Sequence, residues 1–464
     1  MYDTKTLEFD KIIDKLKDFA KTNYAKSKII NYKLGESFEE IKDMLNETKE
    51  AYDNIIKLQD IPLGGLFDVN EPIKRATLQG ILTPSELLNI VGLIDSSNNV
   101  IRYFKELDGI KLDETYLLKY VNEIEIPKTL KNNILLAISD DGNILDNASR
   151  ELFVIRRSLK SLENRLRSKL NELLQTHSNI LTDSIIVIRD GRMCLPVNIA
   201  YKNTFKGIIH DVSSSNTTCY IEPASTLEIA NQIDNYIEQE KKEIQVILKN
   251  LSLLVSAEAD ILLKNLDALT SLDIIYAKAL MGKEYDYYIP KFVDETSFNL
   301  KNVKHPLIDR NFVVPIDCNL GNKHQVIVIT GPNTGGKTVA LKTIGLTHLM
   351  VYYGMMVPCS NESTYGYYSD ILADIGDEQS IEQSLSTFSS HMKKICNIVS
   401  QVTFKSLILL DELGSGTDPK EGSSIAMAII TYLKNCGAKL MVTTHYSELK
   451  NYSYETEGVI NASV

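Results

Sequence analysis

Cysteine is sparse in this chain and never paired. Six residues, Cys194, Cys219, Cys318, Cys359, Cys396 and Cys436, are scattered through 464, with no Cys-x-x-Cys spacing. That argues against a zinc site and against a disulfide framework. Long apolar runs are missing too: none reaches the roughly 18 residues that a membrane helix needs. The charged start, Met1-Tyr2-Asp3-Thr4-Lys5, does not lead into a signal peptide. The expectation is a cytoplasmic protein with no membrane partner, which excludes a membrane-embedded transporter half. No internal repeat and no low-complexity tract interrupts the chain. Positive charge is in deficit, with 50 Lys and Arg against 61 Asp and Glu and a net charge of −11. Taken globally, that disfavours nucleic-acid binding. Locally the balance reverses: Arg150, Arg156, Arg157, Lys160, Arg165, Arg167 and Lys169 face only Glu151 and Glu163 in their stretch. Such a run serves either a solvated helix face or a phosphate-facing one.

What the chain does have is a phosphate loop. Gly331-Pro332-Asn333-Thr334-Gly335-Gly336-Lys337-Thr338 fits G-x-x-x-x-G-K-[ST]. An apolar β-branched run, Val326 to Thr330, precedes it, and a helix-like run, Val339 to Met350, follows it. Strand, glycine loop and helix in that order turn backbone N–H groups toward phosphate oxygens and place a helix N-terminus behind them. Lys337 would reach the β- and γ-phosphates of ATP, and Thr338 would hold Mg²⁺.

A second strand supplies carboxylates. Ser406-Leu407-Ile408-Leu409-Leu410 leads into Asp411 and Glu412. Asp411 is expected at the C-terminal end of a buried parallel strand beside the loop, as a second Mg²⁺ holder. Glu412 follows as the base that polarises an attacking water. Gly414-Ser415-Gly416-Thr417-Asp418-Pro419 forms a loop after these acids. Val442-Thr443-Thr444 ends another apolar strand with His445 where a γ-phosphate would lie. Ser384 to Met392 opens an amphipathic helix with a hydroxyl-rich turn. Its free N–H groups are suited either to a plain N-cap or, through Ser386, to a γ-phosphate bound by a second subunit.

Together, T-G-P-N-T-G-G-K-T, D-E-L-G-S-G-T-D-P and T-T-H-Y resemble the MutS family of ATPases, relatives of the ABC and SMC ATPases. Asp374-Ile375-Gly376-Asp377-Glu378-Gln379-Ser380-Ile381, followed by Ser384 to Met392, resembles the second bacterial MutS subfamily, whose members usually carry a C-terminal Smr nuclease domain. Thr6 to Asp10, Asp140 to Ser149, Ile188 to Arg192 and Gly207 to Pro223 agree with it, so the likeness spans nearly the whole chain. The mismatch-reading N-terminal domain of housekeeping MutS proteins has no counterpart here. The resemblance implies a bacterial, cytoplasmic ATPase with ATP and Mg²⁺ as cofactors and a homodimer formed through the ATPase heads. It implies a partner that is branched DNA, a ribosome with its rRNA, or both, because relatives are linked to suppressing homologous recombination and splitting collided ribosomes. Endonuclease activity would need the nuclease domain. With no Smr-type segment and an end at Asn461-Ala462-Ser463-Val464, the chain reads as a C-terminally truncated member.

The expected architecture is multidomain. Residues 1–135 form a helical core and 136–265 lever helices with a β clamp tip near 184–222. Residues 266–300 return to the core, and 301–464 form an α/β, ABC-like P-loop ATPase domain. Leu152, Ile155, Leu159, Leu162, Leu166 and Leu173 keep heptad spacing in a long coiled-coil-like helix over 150–175. A second helix is expected from Leu227 to about Leu263, with Ile244, Ile247, Leu251, Leu254 and Ile261 as its seam. Asp190-Gly191 signals a hairpin and Ser213 to Asn216 a turn. Arg189, Arg192, Lys202 and Lys206 are the tip's basic residues and the candidates for backbone contact with nucleic acid. An SMC-like structural ATPase is a weaker alternative, since Lys337 and Asp411 stand too close in sequence to flank a long coiled coil. The other alternative is a module that binds ATP without turnover, against which Glu412, His445 and Ser386 argue.

Overall fold

Short apolar, β-branched runs become buried strands and longer 3.6-period runs become helices in the computed structural model, which describes residues 1–108, 115–331, 336–376 and 387–463. Backbone packing divides the chain into two units. One comprises Met1–Asp68, Ser96–Glu125 and Lys264–Val464; the other comprises Val69–Asp95 and Ile126–Leu263. The first part of the chain is helical: α1 (Phe9–Lys17), α2 (Asn23–Ile30), α3 (Phe38–Lys57), α4 (Asn70–Thr77), α5 (Pro84–Asp108), α6 (Leu118–Asn122) and α7 (Lys128–Ala137). Then come α8 (Arg150–Thr176), strands β1 (Val187–Arg189), β2 (Arg192–Asn198), β3 (Gly207–Val212) and β4 (Thr218–Pro223), and helices α9 (Leu227–Ala257) and α10 (Ala259–Glu284).

The unit that carries the glycine loop is built on two sheets. β5 (Lys291–Val293), β6 (Phe298–Val303), β7 (Ile316–Leu320) and β9 (Thr364–Gly366) form one, in the order β5-β9-β6-β7. The other contains β8 (Val326–Thr330), β10 (Asp370–Asp374), β11 (Ser406–Leu410), β12 (Lys439–Thr444) and β13 (Val459–Ala462), in the order β10-β11-β12-β8-β13. All four pairings in this second sheet are parallel. Every residue of β11 and β12 is buried, as expected of strands covered on both faces. Helices α11 (Lys337–Tyr352), α12 (Thr387–Gln401), α13 (Pro419–Asn435) and α14 (Ser447–Glu455) connect the strands. Nearly all of α11 is buried, so it is apolar all round rather than amphipathic. The core around it gathers Leu7, Phe9 and Ile12 from the first residues of the chain with Leu341, Ile344, Leu407 and Leu409.

Register aligns the strand ends. Asp374 pairs with Leu410, Leu410 with Val442, and Thr444 with Thr330. The residues that follow β8, β10, β11 and β12 therefore leave one edge of the sheet together, where ligands of open parallel sheets bind.

The second unit pairs α8 with α9 and closes with an antiparallel sheet in the order β1-β2-β4-β3. The hairpin between β1 and β2 turns on Asp190 at φ 50° and Gly191 at φ 75°, the two left-handed residues of a type I′ turn. Ser149 caps α8 by accepting from Leu152 N at 3.0 Å, and its hydroxyl donates to Glu243 of α9 at 2.8 Å. Leu166 and Leu170 of α8 pack with Leu195, Val197 and Ile221 of the sheet and with Ile229 of α9. The second long helix is shorter than its seam suggested. It ends at Ala257, and α10 begins at Ala259 after Glu258 leaves helical geometry. Its buried stripe is Ile247, Leu248, Leu251, Ser252 and Val255, and Leu254 is exposed instead. The physical reason is that, at 3.6 residues per turn, the stripe is centred between Leu248 and Leu251, and position 254 lies about 90° from that centre, at its margin.

Two buried histidines of the first unit predict an acid sensitivity. Burial pushes His348 and His305 each down to about 4 from the ordinary 6.5. Above pH 6.5 the folded and unfolded chains are both neutral at these rings. Below it the unfolded chain gains protons that the folded one refuses until about 4. Stability should therefore fall as pH drops from about 6.5 toward 4. Urea midpoints measured at pH 7.5 and pH 5 should converge in His348→Phe relative to the parent; an identical pH dependence in both would show that His348 carries no such penalty.

Candidate functional site

The edge where β8, β10, β11 and β12 end gathers the predicted chemistry. Gly331 leaves β8 at φ 142°, and among the described residues, its chain neighbours aside, no heavy atom lies within 4 Å of where its Cβ would stand. Gly336 caps α11 in the left-handed region at φ 82°, with no side chain satisfying the helix N-terminus. Pro332, Asn333, Thr334 and Gly335 lie outside the described residues, as does Ser386.

Lys337 opens α11 and is only 3% exposed. Its ammonium donates to Gly331 O at 2.7 Å and reaches Thr444 O at 3.4 Å. Burial pushes it below the usual lysine value, and the Glu412 and Asp411 carboxylates oppose that push. A buried cation held by backbone carbonyls retains capacity for an anion, because no carboxylate is hydrogen-bonded to it among the described residues.

Asp411 is buried and clasped by two hydroxyls. Thr338 Oγ1 donates to Asp411 Oδ2 at 2.7 Å, and Thr443 Oγ1 donates to Asp411 Oδ1. Thr443 also accepts from Glu412 N at 2.8 Å, so one β12 hydroxyl fixes both acids. Glu412 is held at φ 49°, an uncommon conformation for a residue with a side chain. Its Oε1 lies 3.2 Å from His445 Nε2. The structure thus brings Gly331, Gly336, Lys337, Thr338, Asp411, Glu412 and His445 together from three strands and one helix. The donor set suits a nucleotide with Mg²⁺: it offers hard oxygens from one threonine and one aspartate, and Mg²⁺ usually completes its shell with phosphate and water. No cluster of three or more His, Cys, Asp or Glu side chains suited to a metal is present among the described residues.

Thr443 went unassigned in the sequence reading, although the Thr-Thr-His run that contains it was singled out. A hydroxyl immediately before the end of a strand neighbouring the acidic one is the signal that marks it. Asp374 was likewise read only as part of a motif, and it proves to be a buried carboxylate beside Asp411. A cavity of about 770 Å³ is walled by residues such as Tyr285, Tyr287, His305 and Arg310 and contains none of the predicted site residues. Geometry and chemistry, not cavity size, locate the site.

The four tip cations differ from one another. Arg189 pairs with Asp211 at 2.9 Å and lies 4.4 Å over the Tyr220 ring. Arg192 pairs with Asp234 at 2.6 Å and with the buried Glu222 at 3.4 Å. Acids on β3, β4 and α9 thus hold these two arginine candidates for backbone contact within the fold. Lys202 and Lys206 are exposed. On α8, Arg156 is spent on Glu240 and Asp146, whereas Arg157, Lys160, Arg165 and Arg167 are exposed.

Residues 327–464 match the profile of MutS domain V, the ATPase domain of MutS proteins. Among curated proteins, the chain is 43% identical over 465 aligned residues to a protein named Endonuclease MutS2 from Clostridium beijerinckii. It is 42% identical to proteins of the same name from Geobacillus sp. and Clostridium botulinum. Each alignment covers 99% of this chain and 58% or 59% of the relative, so the chain spans well under two thirds of the relatives' length.

Removal of the Thr443 hydroxyl tests the clasp. Thr443→Val leaves one carboxylate oxygen of Asp411 and the Glu412 N–H without their partner, at an expected cost of about 1–3 kcal/mol. Thr443→Ser keeps the hydroxyl and should lose much less. Denaturant unfolding of both variants checks this; a valine variant as stable as the serine one would show that the clasp contributes nothing.

Proposed function

This chain belongs to the MutS family, in its MutS2 branch, and we propose that it hydrolyses ATP to open and close a clamp on nucleic acid. The observation that carries the reading is the Lys337–Gly331 and Thr338–Asp411–Thr443 arrangement, which gathers a buried cation and two hard oxygen donors at a helix N-terminus. The backbone of Gly331 to Gly336, including Pro332, Asn333, Thr334 and Gly335, would wrap the phosphates, and Lys337 would neutralise the β- and γ-phosphates. Thr338 and Asp411 would hold Mg²⁺, which supplies charge neutralisation on the phosphates. Glu412, fixed through its N–H, takes a proton from the attacking water, and His445 sits beside it to steady charge at the γ-phosphate.

Turnover would need two copies. Ser386 of one subunit is proposed to cap the γ-phosphate bound by the other, so that ATP closes the heads and hydrolysis releases them. In this reading α8 and α9 are the lever and the four-stranded sheet is the clamp tip. The bound partner is a phosphate backbone, supplied by branched DNA or by ribosomal RNA; the nuclease activity in the relatives' name is assigned to them alone. No helix among the described residues is long and apolar enough to cross a membrane.

Two variants separate binding from hydrolysis. Lys337→Ala should weaken binding of a fluorescent ATP analogue about tenfold or more, the loss of one charge-assisted hydrogen bond of about 1.5–3 kcal/mol. Glu412→Gln should keep that affinity and slow turnover about a hundredfold or more. Equal losses of affinity in both would refute the role given to Glu412.

The clamp is tested by salt. Neutralising Lys202 and Lys206 should flatten the log–log salt dependence of binding to branched DNA or ribosomal RNA by about 0.7–0.9 per lysine. The reduction should be alike across sequences, since backbone contacts carry no base information. Neutralising Arg189 and Arg192 should instead lower the stability of the tip. A slope unchanged by the lysine pair would leave the exposed cations of α8 as the binding face.

A further inference from the structure

Helix α12 is tied to the catalytic edge at two points. Asp374, the last residue of β10, is 2% exposed, and its carbonyl accepts from Asp411 N at 2.9 Å. The peptide that bears Asp374 is therefore bonded directly to the residue placed to hold Mg²⁺. The Asp374 side chain turns the other way. His391 Nδ1 of α12 donates to Asp374 Oδ2 at 2.8 Å, and Lys394 Nζ, about one turn further along the helix, lies 3.3 Å from Oδ1. Gly376 lies beside the imidazole: a Cβ there would stand 3.5 Å from His391 Cε1, in ordinary contact. The second tie is Phe388, whose Cβ would be 3.3 Å from a Cβ on Gly416, in the loop that follows Glu412.

A carboxylate this buried is costly to desolvate, and an apolar pair of similar volume would pack the site at no such cost. A hydrogen-bonded carboxylate does something an apolar contact does not: it fixes one register, because sliding α12 by one residue separates His391 from Asp374 and leaves a buried charge without that donor. We propose that His391 is a positioning residue for ATP turnover. Its bond to Asp374 couples the register of α12 to the strand ends that carry Asp411 and Glu412. A shift of α12 on closure with a second subunit is thereby felt at the hydrolytic acids, and their geometry is felt by the helix. The inference rests on the reading above, in which Glu412 activates water.

The test uses the intact protein and three substitutions at position 391. Asparagine places an N–H donor near the position of imidazole Nδ1, glutamine carries it further out, and alanine removes it. His391→Ala should lower kcat on the order of 10–100-fold, the range that a misplaced catalytic group costs. Affinity for an ATP analogue should stay close to the parent's, while the melting temperature should fall with the lost partner of a buried carboxylate and recover in His391→Asn. His391→Asn should recover most of kcat and His391→Gln little of it. Parent-like kcat in His391→Ala, or a matching loss of nucleotide affinity, or equal rescue by asparagine and glutamine, would overturn the proposal. Glu412→Gln measured alongside separates the two ideas. If it abolishes turnover while His391→Ala does not slow it, the coupling alone is wrong; if it turns over normally, the reading of Glu412 is wrong and the coupling falls with it.

Discussion

A carboxylate clasped between two hydroxyls organises the nucleotide unit. Asp411 sits at the C-terminal end of a fully buried strand, where an unpaired charge would be expensive. Thr338 reaches it from the helix after the glycine loop and Thr443 from the neighbouring strand. One acid thus ties the phosphate loop, the acidic strand and the His445 strand into a single geometry. Glu412 inherits its place from the same contact, because its N–H is held by Thr443 and its backbone is forced left-handed. The parallel register makes the clasp possible, since it brings residues 107 apart, Lys337 and Thr444, to one edge.

Charge is used differently in the two units. Around the nucleotide site, cations and anions are buried and each has a defined partner, so their value lies in geometry rather than in net attraction. In the β tip, Arg189 and Arg192 are bound by Asp211, Glu222 and Asp234. The grip on a phosphate backbone proposed for a chain of net charge −11 calls for a local basic surface. The exposed lysines of the tip and the exposed cations of α8 are the candidates for it.

The local elements were legible in the sequence. The strand before the glycine loop, Val326 to Thr330, was placed to the residue, and the acidic strand was placed from Ser406 but ends at Leu410, before the Asp411 expected to close it, because a short apolar run bounded by polar residues permits little else. The Asp190-Gly191 hairpin was equally plain, since its turn demands left-handed residues. Motif chemistry named Lys337, Thr338, Asp411, Glu412 and His445. The long helix that ends at Ala257 was read less well, because a heptad template drifts along a straight helix and its buried face had to be chosen by neighbours.

The sequence by itself determined which segments are strand, loop or helix and which side chains carry phosphate chemistry, since both follow from short-range sterics and residue type. Only the tertiary structure decided partnerships. That Thr443 clasps Asp411, that His391 meets Asp374, and that Arg189 and Arg192 are spent on acids while Lys202 and Lys206 are not, all depend on strand order and register. Those pairings join residues 32, 17, 22 and 30 positions apart in the chain, except for the contacts of Arg192 with α9, which span 42. No local pattern encodes them, because a pairing at that distance is chosen by the packing of the whole sheet and its covering helices rather than by either partner.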